Sequence, residues 1–199
     1  MKNFWDQQHK DNNIQFLTGS SGEGIWQDLA VRDRVRPGAN VLNIGVGLGY
    51  CTKALVDQGC QVHAMDISSV ALSKVKNIVD RVWEPTQYAE MPTDFFDLAL
   101  SYLVTQHMSP DDLIEQLRYV VTSLAPHGIF AMQFASRLAK QDIQVTENNI
   151  KYGGICYTAA QLTTIVESVG GKILWLKHAS VYPQHGSEWY FVHISRAAI

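Results

Sequence analysis

Residues 40–49 of this 199-residue chain read Asn-Val-Leu-Asn-Ile-Gly-Val-Gly-Leu-Gly. The first five residues are a short apolar run, which is typical of a strand buried on both faces of a parallel sheet. Gly45, Gly47 and Gly49 follow, and glycine lets a backbone turn tightly and approach a ligand where a Cβ would collide. Residues 50–58 then have helical spacing, so the free N–H groups of a helix start face the turn. The stretch predicts a strand, a ligand-binding turn and a helix.

The spacing of the three glycines narrows the choice of ligand. A dinucleotide fingerprint has the order G-x-G-x-x-G, and its third glycine would fall on Tyr50. The chain has G-x-G-x-G instead, which resembles motif I of the class I S-adenosylmethionine-dependent methyltransferases. The resemblance implies that S-adenosyl-L-methionine is the cofactor. A tight turn without a ligand is the alternative interpretation of the same glycines.

An acidic residue supports this resemblance. Residues 61–65 predict a second strand, and Asp66 follows it, 66 − 45 = 21 residues after Gly45. A carboxylate there can accept hydrogen bonds from both ribose hydroxyls, and the methyltransferase family has an acid at this place. The resemblance further implies that Ile67 lies against the adenine. Asp66 could instead cap a helix that begins near Ser68 or Ser69.

The other segments predict the fold class. Strands are expected at residues 95–100, 129–134, 172–177 and 189–194, and helices at residues 110–124 and 158–169. The last two strands are joined without a helix, so one of them should run antiparallel. We therefore expect one domain, residues 1–199, with an α/β, Rossmann-like three-layer sandwich and a seven-stranded, mostly parallel sheet whose last strand is antiparallel. Residues 1–30 are expected to form an N-terminal helical cap, and residues 135–157 a substrate-side insertion.

Two places depart from the family pattern. Asn43 stands where an acidic residue is usual, and the family's Gly-Asp-Ala, whose Asp lies near the adenine amino group, is replaced by Gln87, Tyr88 and Ala89. Glu90 or a backbone carbonyl is the expected substitute, and a weak third strand is expected between Pro85 and Met91. The cofactor-binding set implied by the resemblance comprises Asn43, Gly45, Gly47, Gly49, Asp66, Ile67, Ala89, Glu90 and Ser101.

Composition and charge favour a small-molecule acceptor. The net charge is −3, the lysines and arginines are scattered, and no basic face of the kind that binds nucleic acid is expected. Where DNA amino-methylating members of the family carry Asn/Asp-Pro-Pro-aromatic, the chain reads Ser-Tyr-Leu-Val at residues 101–104. No apolar run is long enough to cross a bilayer, and the three cysteines form no C-x-x-C pair. We expect a cytoplasmic protein with reduced thiols, no metal site, no membrane contact and no nucleic-acid partner.

The acceptor site is predicted less sharply. His107 follows the fourth strand, where ligands of this fold collect, and is the first candidate for a general base. Packing beneath the next helix is the alternative role for this histidine. The weaker candidates are His9, Arg137 and His185, and Trp5 and Trp26 are candidates for the pocket wall.

The expected activity is methyl transfer to a small molecule, with oxygen favoured over nitrogen or carbon. A non-catalytic binding or scaffold protein of the same fold is the second hypothesis. A nicotinamide oxidoreductase is disfavoured by Tyr50 and by the antiparallel ending.

Overall fold

A seven-stranded sheet forms the centre of the protein. The computed structural model describes residues 1–11, 22–137, 143–182 and 187–197, and all their side chains except those of residues 137, 179–182 and 187–188. The strands are β1 (Asn40–Ile44), β2 (Gln61–Met65), β3 (Arg81–Trp83), β4 (Phe96–Ser101), β5 (Leu124–Arg137), β6 (Gly171–Tyr182) and β7 (Ser187–Arg196). Their order is β3-β2-β1-β4-β5-β7-β6, and β7 runs antiparallel to both of its neighbours. The predicted fold class is confirmed.

Helices cover both faces of this sheet. They are α1 (Lys2–Lys10), α2 (Gly22–Asp28), α3 (Tyr50–Asp57), α4 (Ser69–Val75), α5 (Pro110–Ser123), α6 (Glu147–Tyr152) and α7 (Ala159–Ser168). Val41 packs with α2 and α3 on one face, whereas Leu42 packs with α5 and α7 on the other. Because successive side chains of a strand point to opposite faces, this alternation gives two cores and three layers. None of the described helices is long and apolar enough to cross a membrane.

The third strand lies elsewhere than expected. β3 occupies Arg81–Trp83, and the segment between Pro85 and Met91 forms a 3₁₀ helix, Pro85–Glu90. Pro85 cannot donate to a strand ladder, and its fixed φ suits the first position of a helix. The side-chain oxygen of Gln87 also accepts from the Glu84 N–H at 3.0 Å. The prediction of a strand here was therefore wrong.

Strand register brings the carboxyl ends of three strands to one level. Ile44 of β1 is paired with Met65 of β2 and with Ser101 of β4. The residues that follow each strand, from Gly45, Asp66 and Tyr102 onward, therefore meet at the same edge of the sheet. β5 is longer than the strand expected at residues 129–134, and its pairing with β4 shifts between Leu124 and Ile129.

Candidate functional site

The glycine turn between β1 and α3 has a backbone that only glycine adopts easily. The φ angles of Gly45, Gly47 and Gly49 are 75°, 55° and 86°. A Cβ on Gly45 would lie 2.2 Å from a methyl group of Val104, and one on Gly49 would lie 2.8 Å from Val75. Both the left-handed conformation and the close packing therefore require glycine at Gly45 and Gly49.

Asp66 fastens this turn to the end of β2. Its Oδ1 accepts from the Ser68 N–H at 2.8 Å, and its Oδ2 accepts from the Gly47 N–H at 3.2 Å. The side chain is buried, and burial raises the pKa of the Asp66 carboxyl to about 6 even though these hydrogen bonds act to lower it. The cap of α4 is Ser68, whose Oγ accepts from the Ala71 N–H, so Asp66 does not serve as that cap.

A cleft of about 270 Å³ opens beside the turn. Gly45, Gly47, Asp66 and Ile67 of the predicted cofactor set line it, together with the segment after β4 and parts of α1 and α5. The volume is close to the lower end of the range for small-molecule sites. The structure therefore brings four of the nine predicted cofactor residues to one cavity.

The other predicted cofactor residues lie away from this cleft. Asn43 is buried, and its Nδ2 donates to the Thr52 Oγ1 at 2.8 Å, which joins β1 to α3. It lines a smaller recess of about 50 Å³ on the other side of the turn. Gly49 is the N-cap of α3. Ser101 is buried, with no hydrogen-bond partner for its Oγ in the described part of the chain. Ala89 and Glu90 are exposed, and Glu90 lies 3.6 Å from Arg81.

Helix α1 forms one wall of the cleft. Met1, Trp5 and His9 line the cavity at intervals of four residues, which places them on one face of the helix. Asp6 holds the helix in place, because its carboxylate accepts from the Ser68 Oγ at 2.7 Å and from the Val70 N–H at 3.2 Å. The regular spacing of the three wall residues was visible in the sequence, but the contact with α4 was not.

His107 also lines the cleft, and its ring is fixed by α6. The Nδ1 lies 2.7 Å from the Ile150 carbonyl oxygen. Because a carbonyl only accepts, Nδ1 carries the hydrogen and Nε2 keeps its lone pair. Burial lowers the pKa of His107, and the hydrogen bond to Ile150 opposes that effect. The ring also makes an edge contact with Trp5, with centroids 4.8 Å apart, so His107 both packs and faces the cavity.

The weaker candidates for the acceptor site lie in different parts of the molecule. His9 is buried in the cleft wall, and burial lowers its pKa to about 4. Trp26 packs in the core with α3 rather than in the cleft. His185 and the side chain of Arg137 lie outside the described residues.

Part of the cleft wall was missed by sequence reasoning. Tyr88 of the 3₁₀ helix and Asp112, Glu115 and Gln116 of α5 line the cavity. The Tyr88 hydroxyl donates to the Gln116 Oε1 at 3.2 Å across 28 residues of sequence. Asp112 and Gln116 are one helical turn apart, which is a weak local signal for a shared face.

Residues 42–132, which contain the glycine turn, Asp66 and His107, match the family described as a methyltransferase domain. The match covers less than half of the chain, and together with the fold it supports a class I S-adenosylmethionine-dependent methyltransferase. No curated protein matches the sequence.

Three solved structures share the methyltransferase fold at low identity. Phosphoethanolamine N-methyltransferase 2 of Haemonchus contortus is 19% identical over 99% of this chain, with a TM-score of 0.69, and this chain spans 60% of that enzyme's length. The 1,6-didemethyltoxoflavin-N1-methyltransferase of Burkholderia thailandensis is 19% identical, with coverage of 96% and 87% and a TM-score of 0.63. A TehB-like methyltransferase of Corynebacterium glutamicum is 17% identical, with coverage of 95% and 97% and a TM-score of 0.67.

The residues that line the cleft fit S-adenosylmethionine. Gly45 and Gly47 line the cleft without a side chain, and Asp66 provides a buried carboxylate for ribose hydroxyls. Ile67 offers an apolar contact for the adenine in the same cavity. These residues could therefore hold the cofactor in a cleft that residues of α1 and α5 also line.

Proposed function

We propose that the protein transfers a methyl group from S-adenosylmethionine to a small-molecule acceptor, and that a hydroxyl oxygen is the favoured acceptor. The observation that carries the proposal is the continuity of the cleft. Gly45, Gly47, Asp66 and His107 line the same cavity. A candidate cofactor site and a candidate base therefore share one cleft.

The bound cofactor supplies a methyl group on a positively charged sulfur. The protein contributes the alignment of the acceptor, the exclusion of water and a place for a proton. Trp5 and His9 of α1 exclude water from one side of the cleft. His107 Nε2, which keeps its lone pair, could accept the proton that a hydroxyl acceptor loses when it is methylated.

Nitrogen is the second candidate acceptor. Two of the structural neighbours are N-methyltransferases by name, and at this identity they support the fold rather than the acceptor. A protonated amine also has to lose a proton before it can attack, and His107 could accept it. The net charge of −3 supports a small molecule over a nucleic acid. A cytoplasmic location stays a prediction.

Two measurements test the proposal. Calorimetry with S-adenosylmethionine and S-adenosylhomocysteine should show binding of both, whereas a scaffold protein would bind neither. A methyl-transfer screen over phenols, sugars and amines should then identify the acceptor and the atom that is methylated.

The screen also gives the assay for His107. With the acceptor in hand, His107→Ala should lower turnover by about 10²–10⁴-fold and leave cofactor affinity almost unchanged. Since the pKa of His107 is lowered from its ordinary value of 6.5, the wild-type acidic limb should lie below pH 6.5 and be absent in the variant. His127→Ala changes an exposed histidine and is the matched control. Loss of thermal stability with normal turnover would instead make His107 a packing residue.

A further inference from the structure

The amide of Gln116 is buried in the cleft wall, and only its oxygen has a hydrogen-bond partner in the described part of the chain. The side chain is 2% exposed and lines the same cavity as Asp66 and Ile67. Its Oε1 accepts from the Tyr88 hydroxyl at 3.2 Å. Its Nε2 has no partner among the residues that the structure describes. A buried donor without an acceptor is costly, so this atom points to a ligand.

Tyr88 fixes which way the amide faces. Its ring stacks on Tyr119, with centroids 5.6 Å apart and an interplanar angle of 8°. Burial, together with Glu115 and Asp112, raises the pKa of the Tyr88 hydroxyl, which therefore stays protonated and donates. Because Oε1 receives that hydrogen, Nε2 is the amide atom that has no partner among the described residues.

The chemistry of a primary amide matches one edge of adenine. An amide presents a donor and an acceptor side by side, and adenine presents an amino donor beside a ring-nitrogen acceptor. Oε1 accepts one hydrogen from Tyr88 and has a second lone pair available. Glu90, the side chain expected to substitute for the family's adenine-binding acid, is exposed and does not line the cavity, and the same is true of Ala89. Tyr88, at the place of that acid, brings Gln116 to the wall instead.

We propose that Gln116, oriented by Tyr88, binds the amino edge of the cofactor's adenine, with Nε2 donating to a ring nitrogen and Oε1 accepting from the amino group. This inference rests on the proposed use of S-adenosylmethionine. Asp112 and Glu115 lie on the same wall, but both side chains are exposed to solvent and Asp112 is bonded to Ser109. The buried amide is therefore the better source of selectivity.

The test compares S-adenosylhomocysteine with its 6-deamino analogue, which carries purine in place of adenine. The unaltered protein should bind S-adenosylhomocysteine about 10-fold more tightly than the 6-deamino analogue. Gln116→Met keeps the side-chain length and removes both hydrogen-bonding atoms. It should lose about 5- to 100-fold in affinity for S-adenosylhomocysteine and bind the two compounds almost equally.

Gln106→Met is the matched control. Gln106 is buried and also has an unpartnered amide atom within the described ranges, but it lies outside the cleft wall. Replacement of Gln106 should leave the preference for S-adenosylhomocysteine over its 6-deamino analogue unchanged. Thermal unfolding of both variants separates a loss of contact from a loss of fold.

The outcomes separate this inference from the function on which it rests. If the unaltered protein binds neither S-adenosylmethionine nor S-adenosylhomocysteine, the proposed function fails. If it binds both but does not distinguish the 6-deamino analogue, the role of Gln116 is wrong and the function stands. The same is true if Gln116→Met folds and keeps the preference. If the variant does not fold, the unaltered protein still tests the proposal, because equal binding of the two compounds would overturn it.

Discussion

Replacing Asp66 with asparagine should have opposite effects on cofactor binding and on the stability of the free protein. The change removes the charge and keeps the shape. Asparagine Oδ1 can still accept from the Ser68 N–H, but its NH₂ group would face the Gly47 N–H, a second donor. The variant therefore retains one of the two bonds that fasten the glycine turn.

The size of the binding effect follows from the charge. A hydrogen bond to a charged group contributes about 1.5–3 kcal/mol, so Asp66→Asn should weaken binding of S-adenosylhomocysteine by about tenfold or more. Complete removal of the side chain in Asp66→Ala should cost at least as much, because both backbone N–H groups then lose their acceptor. The pH dependence is a second signature. If only the ionised carboxylate binds, affinity at pH 5, one unit below the pKa of about 6, should be about tenfold weaker than its plateau.

The stability effect has the other sign. The folded-state pKa of Asp66, about 6, is raised above the ordinary value of 3.8, so the folded protein binds the proton more tightly than the unfolded chain. The stabilising contribution of the Asp66 carboxyl is fully present below pH 3.8 and is lost as the pH rises through about 6. The loss amounts to about 3 kcal/mol in the free energy of unfolding. Asp66→Asn should remove this pH dependence and unfold at a higher urea concentration than the wild type at pH 7. Loss of the contact with the Gly47 N–H acts in the opposite direction and reduces this gain.

Calorimetry between pH 5 and 7 and urea unfolding of the free protein measure these two effects. Asp97→Asn is the control, since Asp97 also accepts from a backbone N–H, that of Asn40 at 2.9 Å, at the opposite end of β1. An Asp66→Asn variant that binds S-adenosylhomocysteine like the wild type would refute the ribose contact. A wild-type affinity that stays flat from pH 5 to 7 would refute the raised pKa.

Three further predictions concern other parts of the site. Gly45→Ala should abolish cofactor binding as measured by calorimetry, because the φ of Gly45 is 75° and the new Cβ would collide with Val104. Gly38 has a similar φ of 77° but open space around it, so Gly38→Ala should only lower stability slightly. Asp6→Ala should make α1 more sensitive to proteolysis and weaken cofactor binding by a few-fold. An unchanged proteolysis rate and an unchanged affinity would show that the hydrogen bonds from Ser68 and Val70 to Asp6 do not keep α1 in place. Burial raises the pKa of Cys51 to about 12, so Cys51 should react with a disulfide reagent at pH 8 far more slowly than the half-buried Cys156, and equal rates would contradict its burial.

Local pattern was sufficient to predict the frame of the molecule. The apolar run before Gly45, the spacing to Asp66 and the helix-free link between the last two strands gave the sheet and its antiparallel strand, because each is encoded by neighbouring residues. The placement of Gly45, Gly47, Asp66 and Ile67 in one cleft followed from strand register, which is set by the same apolar runs.

The positions of the other residues depended on contacts between distant parts of the chain. Asn43 pairs with Thr52 instead of facing the cleft, and Pro85 converts the expected third strand into a 3₁₀ helix that leaves Ala89 and Glu90 exposed.

The sequence by itself determined the fold class and the glycine turn between β1 and α3, since both depend on local periodicity and on the conformational freedom of glycine. Only the tertiary structure decided the walls of the cleft. Asp6 reaches Ser68 across 62 residues, and Tyr88 reaches Gln116 across 28. Such pairs are formed by packed side chains of separate elements, and no periodicity in the chain specifies which partners the fold will bring together.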